Sequence, residues 1–490
     1  MKAKFTSLKT QTTAGQNESI TCEKTELLPG RKPVWALLMR LLWAALLVLP
    51  AFGSQAGVVL TILYSFTGGN DGARPEAGLV QGSDGNFYGT AFLGGSGGPD
   101  GTEGTVFKIN TNGALTNLYS FTGYNDGGQP EAGLVQGSDG NFYGTTLKGG
   151  TNYQGTVFKI STNRALTSLY SFTDGNDGAQ PYAGLVQGSD GNFYGTTSSA
   201  GTNGLGTVFK INTNGALTTL HSFNGTNDGG GPKAGLVQGS DGNFYGTTYG
   251  GGTNGYGTVF KISTNGALTT LYSFNDTNDG GFLYAGLVQG RDGNFYGTTS
   301  EGGTNGYGTV FKISTNGALT SLYSFTGPDG YLPTAGLVQG SDGNFYGTTS
   351  TGGTNGGYGT VFKISTNGVL TSLYSFSGMS SDGAVPEAGL VQGRDGSFYG
   401  TTWSGGTNFQ GTVFRLTVTP EPPELTIIPS GANVILSWPA NATGFTLEFA
   451  TNLVSPAVWN TNLLAPIAIN GTNTVTNAIS GTQRFYRLSQ

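Results

Sequence analysis

The feature that most constrains this chain is a fourteen-residue phrase, "GLVQGSDGNFYGTT" at 336–349. The same letters, or a near copy, begin at Gly78, Gly133, Gly184, Gly235, Gly286 and Gly389. A period of about fifty residues, rich in glycine and strand formers, is the length of one four-stranded propeller blade. Each copy divides into four strand-like runs. "AGLVQG" is short and apolar, and "SDGN" supplies a hairpin turn, because Asp-Gly tolerates two positive φ angles. "NFYGTT" follows, and a glycine-rich loop, "GGTNGYG" in its commonest form, leads to "GTVFKI". "STNG" turns the chain again into "ALTTLYSF". Neighbours such as Phe345 and Tyr346 face opposite sides of a strand. The sheet is therefore apolar on both faces and must be covered on both, as stacked blades cover one another.

The copies are offset at the ends, and the offset predicts closure. "LTILYSF" at 60–66 precedes the first repeat, while the last, ending "GTVFRLT", has no fourth strand. The simplest account is a circle in which 60–66 becomes the outer strand of the blade built from 389–417. Such closure removes open sheet edges. The expected fold is all-β: a seven-bladed β-propeller over 57–417 closed by the N-terminal strand, a Pro-rich linker at 418–423, and a small β-sandwich at 424–490. In the tail, "ELTIIPS", "NVILSWP", "GFTLEFATN", "TNTVTNAI" and "QRFYRLS" are strand-like, with Trp438 as the core tryptophan.

Composition excludes several functions. With 88 glycines and 10% charged residues in 490, the chain would look disordered if it lacked a period; the repeat and 12% aromatic content point to short strands instead. A net charge of −6 without a basic stripe excludes nucleic acid as a partner. Cys22 is the one cysteine and His221 the one histidine. Disulfides, a cysteine nucleophile, a histidine triad and a histidine-built zinc site are all excluded with them. His221 occupies an outer-strand position where the other copies carry tyrosine. Residues 1–56 read as a signal peptide with an extended N-region, having Arg31, Lys32 and Arg40, an apolar run from Leu41 to Leu49, and Ser54 and Ala56 before a cut at Gly57. A secreted or cell-surface protein follows, with no membrane span after cleavage and read as a monomer.

The unit "GLVQGSDGNFYGTT…GGTNGYGTVFKISTNG" resembles the GloVer tandem repeats of exported bacterial proteins, over residues 60–417. The resemblance implies a propeller that travels with varied C-terminal anchoring or sorting modules. The tail, with "LSWPA", "FTLEFATNL" and "QRFYRL", looks like a fibronectin-III-like module. Neither resemblance brings a catalytic residue.

Candidate binding residues come from comparing the copies with each other. The hairpin turns hardly vary, whereas the two other connections do, and in an up-and-down blade those two emerge on one face. The residue before Ala-Gly is Glu76, Glu131, Tyr182, Lys233, Tyr284, Thr334 or Glu387; between the second and third strands lie Tyr153, Tyr249, Tyr256, Tyr307, Trp403 and Phe409. Aromatic residues on loops of a rigid scaffold suit stacking on sugars or peptides, so a glycan or protein ligand is expected. Trp403 is the sharpest candidate, with packing under its own loop as the bland alternative. The aspartates of the "NDG" and "SDG" segments could suggest calcium. Asp-Gly is first a turn former, however, and calcium needs six to eight converging oxygens. No cofactor is expected, with calcium the alternative. The chain is read as non-enzymatic. The rival is a polysaccharide lyase or hydrolase using Glu76, Glu131 and Glu387 at the channel mouth, in copies that the closure order makes adjacent.

Overall fold

Alternation of large apolar residues with threonine and glycine makes every "NFYGTT" and "GTVFKI" run extended, and Asp-Gly and Asn-Gly pairs turn the chain between them. The computed structural model describes residues 57–98, 101–379, 382–419, 423–440, 445–451, 457–462, 464–469, 472–478 and 484–489. The expected leader, 1–56, and residues 420–422 of the expected linker lie outside the described residues. The described residues are all-β, and no helix among them is long and apolar enough to cross a membrane.

Val58–Val418 make one compact unit. Its first four-stranded antiparallel sheet runs Val80–Gln81, Phe87–Ala91, Thr105–Ile109, Leu115–Ser120. Five more sheets repeat that order, the last of them ending at Leu370–Ser375. The seventh contains Val391–Gln392, Phe398–Thr402 and Thr412–Val418, and its outer strand is Val58–Ser65. The register there pairs Leu60 with Leu416 and Ser65 with Thr412, with a bulge between Ile62 and Tyr64. Outer strands elsewhere carry a bulge at the matching place, as at Leu271, where Thr270 pairs with Phe260 and Tyr272 with Val259.

The two apolar faces are used as the alternation requires. Tyr88 stacks on Phe142 of the next sheet, with ring centroids 4.0 Å apart, and the same pair recurs from sheet to sheet until Tyr399 meets Phe87 at 4.1 Å. A second series sets the last residue of each outer run edge-on to a phenylalanine of the next sheet. Phe121 meets Phe158, Phe376 meets Phe414, and Phe66 meets Phe107. Each such ring contact contributes about 0.5–1.5 kcal/mol beyond burial. Buried threonines add a hydrogen bond across each junction: Thr145 Oγ1 donates to Ala183 O at 2.9 Å, and Thr401 Oγ1 to Ala77 O at 3.0 Å.

The inner run is shorter than the sequence suggests. "AGLVQG" is expected to pair along its length, yet only Val80 and Gln81 do, opposite Tyr88 and Phe87. The preceding glycine is engaged elsewhere. A Cβ on Gly133 would lie 2.9 Å from the carbonyl oxygen of Gly78, and one on Gly78 would lie 3.0 Å from that of Gly389. The inner segments press on their neighbours' backbones, and only glycine permits that approach.

The second unit takes in Gly57 and the described residues from Thr419 onward. It holds a four-stranded sheet, in the order Thr426–Ser430, Asn433–Pro439, Thr472–Ala478, Ile467–Ile469, and a three-stranded one, Asn460–Thr461, Thr446–Ala450, Phe485–Ser489. Trp438 is buried with Leu436, Leu447 and Val475.

Candidate functional site

The site is built on the connections that follow each outer strand. Their first half is pinned by the "NDG" aspartate. Asp71 accepts from the Tyr64 hydroxyl at 3.0 Å and the Thr67 amide at 2.8 Å. Asp126, Asp177, Asp279, Asp329 and Asp382 accept likewise from Tyr119, Tyr170, Tyr272, Tyr323 and Tyr374. Burial first, and then the adjacent Asp71, push the Tyr64 hydroxyl up to about 12. In the fourth copy His221 Nε2 replaces the hydroxyl, 2.8 Å from Asp228. These carboxylates are loop pins, and among the described residues no group of three His, Cys, Asp or Glu side chains is placed to hold a metal ion. The "SDG" aspartates are turn pins: Asp84 accepts from the Tyr88 hydroxyl at 2.8 Å.

The next residues are held in a strained turn. Arg74, Gln129, Gln180, Phe282, Leu332 and Val385 all have φ between 52° and 57°, and Gly231 stands in the fourth copy at 59°. Each is fixed by its neighbours' backbones: Arg74 N donates to Gln410 O at 2.8 Å, and Arg74 O accepts from Phe92 N at 3.1 Å. These bonds tie the two variable connections together at one end of the unit, as do the bridges Ala73–Leu93 and Gly128–Lys148.

Two residues further on come the side chains that vary. Burial alternates through Pro75, Glu76 and Ala77, and only the middle residue is half-exposed; the same alternation recurs around Glu131, Tyr182, Lys233, Tyr284, Thr334 and Glu387. The structure brings most of these together. Glu76 has its carboxyl pushed up to about 7 by burial and then by Glu387, against the opposing pull of the Trp403 indole and Arg74. Glu131 is pushed up to about 8 by burial, then Glu76, with Lys233 opposing and Glu387 adding. Burial raises Glu387 as well. On the other side, the Lys233 ammonium lies 4.3 Å from the Tyr249 ring, 4.4 Å from Tyr284 and 5.4 Å from Tyr182. Burial lowers its proton affinity and Glu131 counteracts this. Burial, and then Glu131 and Glu76, raise the Tyr182 hydroxyl.

Trp403 is not free on the surface. Its Nε1 donates to Glu76 Oε1 at 3.0 Å, and the Arg74 guanidinium lies 4.5 Å from its ring centroid. Trp403 is half-buried, covered by a hydrogen-bond partner and a cation that both come from the loop after the N-terminal outer strand. Tyr256 packs against Phe282, and Tyr307, 39% exposed, against Tyr331. Tyr153 and Phe409 project to solvent, 63% and 59% exposed, each at a φ of 58°. Sequence reasoning missed Arg74 and Phe282, the latter touching both Tyr249 and Tyr256. The signal was present: the residue before the proline-like position reads Arg, Gln, Gln, Gly, Phe, Leu, Val through the copies.

An all-β chain of near-identical units, each a four-stranded sheet, defines a tandem-repeat protein. The family model of the Gloeobacter/Verrucomicrobia repeat matches residues 52–239, 163–354 and 231–428, and the chain belongs to that family. None of the curated proteins matches it. Among solved structures it is similar to an oligogalacturonate lyase in complex with manganese (12% identity, 75% of this chain and 95% of that one, TM-score 0.47). It is also similar to PorZ, a surface component of the type-IX secretion system of Porphyromonas gingivalis (13% identity, 83% and 56%, TM-score 0.45). A third is the alpha-L-arabinanase of Penicillium chrysogenum complexed with arabinobiose (12% identity, 58% and 92%, TM-score 0.35). At these identities and scores the likenesses bear on neither activity nor ligand.

Proposed function

We propose that this chain is an exported, non-enzymatic scaffold, a seven-bladed propeller closed by Val58–Ser65, that recognises a glycan or protein through its variable loop face. The C-terminal unit, a fibronectin-III-like sandwich on this reading, serves as spacer or attachment module. Closure is supported by contacts that return from the seventh sheet to the first: Tyr399 on Phe87, Thr401 to Ala77, Gly389 against Gly78. One observation carries the binding reading. In a frame repeated almost letter for letter, seven equivalent half-buried positions hold Glu76, Glu131, Tyr182, Lys233, Tyr284, Thr334 and Glu387, and the solvent-exposed Tyr153 and Phe409 lie on the loops tied to them. Unlike side chains on a rigid scaffold are what a binding surface needs.

The test is binding of the full chain to a glycan array and to cell-envelope polymers, with calcium and with chelator. Tyr153→Ala and Phe409→Ala should remove binding and leave the thermal midpoint alone, because neither ring packs into the unit. Binding unaffected by both would refute the loop-face reading. The second reading, a polysaccharide lyase or hydrolase, is favoured by the proton affinities of Glu76 and Glu131, which are near neutrality as a general acid requires. Turnover of a polysaccharide that is abolished by Glu131→Gln would establish it in place of the first.

A further inference from the structure

We propose that Lys233, with the rings of Tyr182, Tyr249 and Tyr284, forms a subsite for a uronic acid, a sugar whose ring carries a carboxylate. The inference rests on the loop-face reading and names the ligand class for one stretch of that face. Tyr182, Lys233 and Tyr284 hold equivalent slots, two residues before Gly184, Gly235 and Gly286. A Cβ on Gly235 would lie 3.2 Å from the Gly184 carbonyl oxygen, and one on Gly286 would lie 2.9 Å from that of Gly235. The backbone therefore packs the three slots side by side. Tyr249 is tied in from its own loop, because its N donates at 3.3 Å to the carbonyl of Gly231, two residues before Lys233.

The ammonium lies 4.3 Å from the Tyr249 ring centroid, 4.4 Å from that of Tyr284 and 5.4 Å from that of Tyr182. The Tyr249 and Tyr284 centroids are 4.9 Å apart, and Phe282 backs Tyr249 at 5.3 Å. Ring faces attract a cation but give it neither a counter-charge nor a lone-pair acceptor. The ion pairs among the described residues are His221–Asp228, Lys261–Asp241 and Arg487–Glu448, and Lys233 belongs to none of them. Glu131 acts on it only from beyond ion-pair distance. Lys261 shows the contrast, since it lies 5.7 Å from the Tyr245 ring and also has a carboxylate at 2.9 Å. Lys233 is thus a half-buried cation walled by rings, and no described residue accepts its N–H donors. A charge held that way is costly until an anion completes it.

Each feature narrows the ligand. A cationic group is disfavoured, because Lys233 already occupies the space over the rings. A carboxylate supplies the missing charge and the missing acceptors together, through charge-assisted hydrogen bonds. On a uronic acid that carboxylate is fixed to the sugar ring. An anion that reaches Lys233 then brings a pyranose C–H face against tyrosine and sugar hydroxyls towards the tyrosyl oxygens. The carboxylate of an acidic peptide stands on a flexible stem with little to lay on the rings, and ordering that stem costs affinity.

The experiment is calorimetric titration of the full chain, at neutral pH and low salt, with two sugars. One is a xylan oligosaccharide bearing a single glucuronate branch, and the other is the same oligosaccharide with that carboxyl reduced to the alcohol. The acid should bind at least about tenfold more tightly than the alcohol, as one charge-assisted hydrogen bond implies. Lys233→Thr places in this slot the residue type that Thr334 holds in the sixth copy. It should bring the two affinities within about twofold of each other and leave that of the alcohol unchanged. Equal affinities in the native chain, no binding of either sugar, or a preference that survives Lys233→Thr would each overturn the subsite. Tighter binding of a Gly-Glu repeat peptide than of the acidic sugar would overturn it as well, in favour of a protein partner. Binding of neutral glycans that is lost in Tyr153→Ala but indifferent to Lys233→Thr, with no preference for the acid, would overturn the subsite and leave the loop-face reading standing. The two sugars on the native chain decide the matter even if the variant does not fold.

Discussion

Cross-linking Val59 to Thr417 tests the pairing on which closure depends. The two residues are opposed in the register of Val58–Ser65 with Thr412–Val418, and Val59 is 57% exposed. Cysteines can therefore replace both without opening the core. With Cys22→Ser in every sample, the double variant carries no other thiol. A disulfide here would close a loop of about 360 residues, for which chain-entropy arguments give an upper value of roughly 6 kcal/mol. Strain in an engineered bond lowers such gains, and about 2–4 kcal/mol is expected. A repeat unit of about 360 residues unfolds with an entropy near 0.76 kcal/mol/K, so the oxidised form should melt roughly 3–5 °C above the reduced one. Thiol titration after mild oxidation, followed by calorimetry with and without reductant, measures both. Two thiols still titratable in a folded protein would refute the pairing, since opposed Cβ atoms of adjacent strands lie within disulfide reach. Complete oxidation without any rise in midpoint would show that the two ends contribute no closure to the native state.

Gly133→Ala should cost about 1–3 kcal/mol, because its Cβ would meet the Gly78 carbonyl at 2.9 Å, a backbone atom that cannot rotate away; an unchanged denaturation midpoint would contradict the close approach of inner segments. Phe66→Ala should cost about 3–5 kcal/mol despite its place near the chain start, since the ring is fully buried against Phe107; chemical denaturation gives the value, and less than about 1 kcal/mol would detach this segment from the seventh sheet. His221→Tyr should leave stability within about 0.5 kcal/mol, restoring the hydroxyl that pins the aspartate in the other copies. A large loss on thermal melting would give the histidine a role of its own.

Most of the frame was legible because its rules are local. Asp-Gly turns, the opposed rings of "FY" and the missing fourth strand after 416 are each visible within a few letters, and the sheets follow them. What was not legible depends on partners remote in sequence. Trp403 looks free in its own loop, but its acceptor, Glu76, is 327 residues away. Lys233 reads as a lone charge until Tyr182, Tyr249 and Tyr284 are placed around it. The inner strand was overestimated since hydropathy cannot register that Gly78 is occupied by a neighbour's backbone. In the C-terminal unit, Asn460–Thr461 and Ile467–Ile469 were overlooked, being too short to show a period.

The turn before each variable residue has a consequence for how this family diversifies. A side chain held at a φ near 55° carries about 1–3 kcal/mol of strain that glycine would relieve. Gly231 shows that the frame accepts glycine there, yet Arg74, Gln129, Gln180, Phe282, Leu332 and Val385 stand in the other six copies. Random substitution among duplicated units, filtered by stability alone, would carry such a position towards glycine in copy after copy. Six side chains of five kinds stand against that gradient. From copy to copy the structural text stays fixed while this one uncomfortable slot varies.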